Sequence, residues 1–88
     1  MLDIKYNGQI AVIDLRNNIL RGEHPRHEVI EFAMKAAVGT ILELHIPHPA
    51  KPLANALEEI GYPSVIHQLG PEHFRMMCVI LNKNTVEL

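Results

Sequence analysis

Cysteine is almost absent from this sequence: Cys78 stands alone among 88 residues. A lone thiol excludes an internal disulfide and any paired-cysteine metal or redox motif, and it fits a reducing cytoplasm. Tryptophan is missing and the aromatics are two Tyr and two Phe, so no base-stacking platform can be assembled. Neither sign of charge dominates, with eight Lys plus Arg against ten Asp plus Glu. A general nucleic-acid binder would show a basic excess or stripe, and this chain has none. Apolar runs are short, which argues against a membrane-spanning helix, and the start MLDIKYNGQ lacks a signal-peptide layout. Ser64 is the only serine, which leaves a Ser-His-Asp nucleophile without support. The class left standing is a small binding module, more readily non-enzymatic than an enzyme.

Hydrophobic residues make up 48% of the chain, enough for one small domain over residues 1–88 with a core of its own. LDIKY-NG-QIAVIDL reads as a hairpin, with Asn7-Gly8 predicting a two-residue type I′ turn. Its first arm carries Asp3 and Lys5 and suits an edge strand, so residues 1–8 form an added N-terminal edge and turn. Its second arm is apolar on both faces, as a covered strand would be. RNNILRGE reads as a connector. Pro25 then opens a helix that runs to about Val38, with Gly39 as its C-cap. Val29, Ile30, Phe32, Ala33, Ala36 and Ala37 form its apolar face, and Glu31 and Lys35 are spaced to pair on the outside. TILELHI is a strand that places Leu42, Leu44 and Ile46 on one face. A second helix runs from Lys51 or Pro52 to just before Gly61, with Leu53, Leu57 and Ile60 as its stripe. YPSVIHQL and HFRMMCVILNK are strands joined by a Gly70-Pro71-Glu72 turn. The expected fold is an α/β (α+β) two-layer sandwich, with two helices on one face of a mixed sheet of four to five strands. Each strand-helix-strand join should make its two strands parallel neighbours. Glu43, His45, Arg75 and Met77 would lie on the open face.

Five stretches together resemble a known family. They are Ile13-Asp14-Leu15-Arg16, His24-Pro25 at a helix start, Gly39 followed by Leu42-Glu43-Leu44, Pro47-His48-Pro49-Ala50-Lys51-Pro52-Leu53, and Gly70-Pro71-Glu72 before the last strand. The chain is similar, over about residues 10–83, to domain-of-unknown-function family 2249, itself similar to the TusA (SirA-like) sulfur carriers. The resemblance implies a TusA-like sandwich, a bacterial or archaeal source, and neighbours in metal or redox biology. In TusA proteins a persulfide-carrying cysteine precedes the helix-opening proline, where the helix start favours a thiolate. His24 takes that place here. The related family shows acids around the second histidine, and this chain has Pro47 and Pro49 in their stead.

Six histidines are many for this length: His24, His27, His45, His48, His67 and His73. His24 follows the first covered strand and His48 the second. If those strands are parallel, both emerge at the carboxyl end of the sheet, where open α/β sheets bind ligands. His24 and His48 are therefore the candidate metal ligands, with His27 as a third and His45 as a further possibility. Imidazole nitrogens would suit Zn, Fe, Ni or Cu. An anion is the competing ligand, because Arg26 lies in the first helical turn, against the dipole, with Lys51 at the start of the next helix. The bland alternative is that these are solvated loop side chains and helix caps. His67 and His73 read as sheet-face residues, and Cys78 as a buried, inert thiol. Two further roles are open: a sulfur-carrier or redox-partner protein, which needs an exposed Cys78, and an interaction module. The partner of the latter would be a protein or a second copy, docked on the open face or paired along the strand formed by residues 2–6.

Overall fold

The structure, a computed structural model, describes residues 2–81. The expected reach of the last strand to Lys83 lies outside them. The hairpin forms from β1 (Ile4–Asn7) and β2 (Ile10–Asp14), antiparallel and in register from Ile4 opposite Ile13 to Asn7 opposite Ile10. Its turn falls one residue later than Asn7-Gly8 predicts. Gly8 has φ +62° and Asn7 is not at positive φ, so Gly8 and Gln9 are the central pair. One glycine at positive φ in first place is the type II′ pattern, which follows the strand twist as type I′ does.

The connector after β2 holds a short helix that periodicity did not reveal, α1 (Arg16–Leu20). Pro25 stands one place ahead of α2 (Arg26–Lys35), and its carbonyl accepts the first intrahelical bond from Val29 N–H at 3.0 Å. α2 ends three residues before Val38. Ala36 turns to extended backbone, and Gly39, at φ +96°, gives its N–H to the Ile80 carbonyl at 2.8 Å. That bond delivers the chain into β3 (Ile41–Ile46), so Gly39 serves the sheet and not the helix end. α3 (Lys51–Glu59) closes on Gly61 at φ +99°. Gly61 N–H donates to Glu58 O and Tyr62 N–H to Leu57 O, a Schellman ending. β4 (Val65–Gly70) and β5 (His73–Val79) follow, the last strands among the described residues.

The five strands form one mixed sheet in the order β1-β2-β3-β5-β4. β2 and β3 are parallel neighbours, as a strand-helix-strand unit should be. β3 and β4 are not neighbours, contrary to the expectation for the second such unit. β5 lies between them, antiparallel to both, because it can bury Met76 and Cys78 there and leave β4, which has no buried residue, at the edge. Ala11, Ile13, Leu42, Leu44, Ile46, Met76, Cys78 and Ile80 line the covered face, against Val29 and Ala33 of α2 and Leu53 and Leu57 of α3. Each of the fully buried Leu and Ile side chains contributes about 1.5–3 kcal/mol. The two long helices therefore cover one face, giving the two-layer sandwich. No helix among the described residues is long and apolar enough to cross a membrane.

Candidate functional site

Parallel pairing of β2 and β3 brings their carboxyl ends to the same edge of the sandwich. The starts of α2 and α3 follow from those ends. A cavity of about 690 Å³ lies there, lined by His24, Arg26, His27 and His48 above Leu15, Ile19 and Leu53. Four of the five residues singled out from sequence thus share one cavity. Lys51 is exposed at the first position of α3 and does not line it. His24 does not cap α2, which has no side-chain cap, and the same holds for α3. His24, Arg26, His27 and His48 are all exposed, and the His48 Nδ1–H reaches the Pro49 carbonyl only at 3.4 Å. Among the described residues, no three side chains of His, Cys, Asp or Glu are gathered so as to hold one metal ion. Glu23 is the acid of this lining. Its carboxylate is turned to the Asn18 amide at 2.9 Å and to Arg21 at 3.2 Å, which together hold its pKa below the ordinary range.

A second group of residues occupies the open face. Glu43 and His45 are two apart on β3, so their side chains emerge on the same side. His73, at the start of β5, reaches the same place from the neighbouring strand. His45 Nε2 lies 2.7 Å from Glu43 Oε2, and His45 Nδ1 lies 2.8 Å from His73 Nε2. The two rings are tilted, with centroids 5.1 Å apart. The Glu43 and His45 side chains are only 18% and 17% exposed, which shields the chain of bonds from competing water. Desolvation lowers the His73 pKa, with the positive charge of Arg16 acting in the same direction. Asp14, beside His45 in the sheet, receives both Arg16 Nε (3.0 Å) and Arg16 Nη2 (2.7 Å), and these bonds lower its pKa to about 2.

Sequence spacing accounts for two of the three residues in this second group. Alternation along β3 puts the i,i+2 pair Glu43 and His45 together on the open face, where the structure has them. From sequence alone His73 is one more surface or sheet-face residue next to a turn. Its role depends on which strand β5 pairs with and in what register, and no local pattern carries that. Cys78, by contrast, is where it was expected: it is buried on the covered face, and burial pushes its thiol pKa up to about 11.

No family model matches the chain. An LL-diaminopimelate aminotransferase of Lawsonia intracellularis is 31% identical over 72 residues, which is 82% of this chain and 17% of the aminotransferase. The chain thus spans less than a fifth of the length of the curated relative it matches.

Proposed function

We propose that the chain is a small binding module of the TusA-like kind, whose ligand at the His24/His48 rim is a compact anion. The observation that supports this most is the shared cavity. Two helix starts, three imidazoles and Arg26 border one space, and its carboxylate, Glu23, is tied back by Arg21. The positive ends of α2 and α3 and the Arg26 guanidinium favour negative charge there. Leu15, Ile19 and Leu53 supply an apolar floor, which strengthens polar contacts above it. A transition metal on His24, His27 and His48 is the second candidate ligand. The anion is preferred because the three rings come from separate positions and are not drawn together on one point. A sulfur-carrier role would need a reachable thiolate, and Cys78 is buried with a raised pKa. One buried thiol also suits a cytoplasmic setting. A likeness confined to 17% of an aminotransferase carries no activity to this chain.

Nuclear magnetic resonance titrations with inorganic phosphate, sulfate, Zn²⁺ and Ni²⁺ test the reading. Phosphate or sulfate should shift the His24, Arg26 and His48 signals, and R26A should weaken binding about tenfold or more, as expected for a charge-assisted contact of about 1.5–3 kcal/mol. Shifts with the metals alone would transfer the site to metal binding. No shift with any of the four would remove the rim as a site.

A further inference from the structure

The Glu43, His45 and His73 bonds leave little choice of tautomer. The Glu43 carboxylate can only accept, so His45 Nε2 carries a hydrogen. In a neutral His45 ring the Nδ1 is then an acceptor, so His73 must donate to it through Nε2–H. His73 Nδ1 is left with an unshared pair. The His73 ring also lines two adjoining cavities, of about 460 and 580 Å³, that open over β2, α1 and the turn before β5. That size suits a small molecule. The same lining holds Asn17 and, at the β1 side, Lys5, together with Asp3, Asp14 and the Arg16 that is paired to Asp14.

We propose that Glu43, His45 and His73 form a proton relay that makes Nδ1 of His73 the nucleophile of a second site, one that accepts the acyl group of small activated esters. Nδ1 attacks the ester carbonyl carbon, and a carbon–nitrogen bond forms. The carbon–oxygen bond to the leaving group breaks, and its electron pair departs on the phenolate or alkoxide. Acylated His73 carries a positive charge until its Nε2 proton passes to His45 Nδ1. The charge then rests on His45, next to the Glu43 carboxylate. Water adds to the carbonyl of the neutral acyl-imidazole and the carbon–nitrogen bond breaks, giving a carboxylic acid; His45 returns its extra proton to His73 Nε2, and the second water proton neutralises the departed phenolate or alkoxide. In this scheme Asn17 and Lys5 of the same lining supply donors for the negative charge that the carbonyl oxygen gains. His73 is the catalytic residue of this scheme, and His45 and Glu43 are positioning residues that also carry the proton.

Two measurements on the whole chain test it. Nitrogen-15 spectra of the wild-type protein should show His73 protonated on Nε2 with a lone pair on Nδ1; the opposite tautomer overturns the relay whatever any variant does. Hydrolysis of 4-nitrophenyl acetate should exceed that of six equivalents of free imidazole. It should fall about 10²-fold or more in H73Q, within the range for positioned proton-transfer groups. E43Q keeps an acceptor for His45 and removes the charge, so it should retain the His73 tautomer and still lose about tenfold in rate. A rate no greater than that of free imidazole, a rate unchanged in H73Q or E43Q, or a rate lost instead in an H24A/H48A double variant, overturns the proposal.

Discussion

His73 holds its ring where a positive charge is unwelcome. Desolvation, then the charge on Arg16, lowers its pKa from 6.5, so the folded protein binds that proton less readily than the unfolded chain. The unfolded state therefore takes up more protons as pH falls through 6.5, and the stability linked to neutral His73 is complete above that value and lost below it. Urea denaturation between pH 7.5 and 5 should show wild type losing more stability than H73Q over that window. Asp14 does not interfere, because its lowered pKa, about 2 against 3.8, gives stability that is present above 3.8 and lost only as pH falls further towards 2. An exposed pair such as Asp14 and Arg16 adds little in any case, because solvent screens it. At this scale the sequence was a partial guide. The side on which a strand residue emerges follows from alternation, so Glu43, His45, Arg75 and Met77 were legible as open-face residues. The meeting of His45 with His73 needs a register between strands 28 positions apart, which single residues do not announce.

Elements were legible where composition and backbone demands agree. α3 has its stripe of Leu53 and Leu57, a proline in its first turn and Gly61 just past its end, and it forms as that pattern requires. Gly61 sits at φ +99°, with no atom near enough to hinder an added Cβ, so only the backbone conformation resists substitution. G61A should destabilise the fold by about 1–2 kcal/mol, the cost of a left-handed residue with a side chain; equilibrium urea melts read this directly, and an unchanged midpoint would count against the Schellman ending. α1 was illegible for the opposite reason. RNNIL is five residues with no fully buried side chain, too short for a period to show. Asp14 gives it a start instead, by accepting the Arg16 N–H at 3.1 Å. α2 ends early because Gly39 is needed for a bond to Ile80, a partner some 40 positions away that helix-ending rules do not include.

The whole molecule turns on β5. β3 and β4 do not touch as strands, and β5 is the ladder between them. Strand order of this kind is decided by which apolar face fits where, so the chain order of elements could suggest the sandwich without giving its middle. A chain cut after Glu72 should show no cooperative melt and poor dispersion in proton spectra, because Leu42, Leu44 and Ile46 lose the wall formed by Met76, Cys78 and Ile80. A folded, dispersed spectrum from that fragment would show that β3 and β4 can pair directly. The rim cavity depends on the same strand only indirectly, since its walls come from α1, the starts of α2 and α3, and the segments that follow β2 and β3. Synthesis meets the same geometry in time. At about 5–20 residues per second, β5 leaves the ribosome seconds after both long helices, and one edge of β3 waits unpaired for that interval. The protein thus completes its sheet from the inside and late, which makes the nascent chain, more than the finished one, the form most open to chaperones and to misassociation.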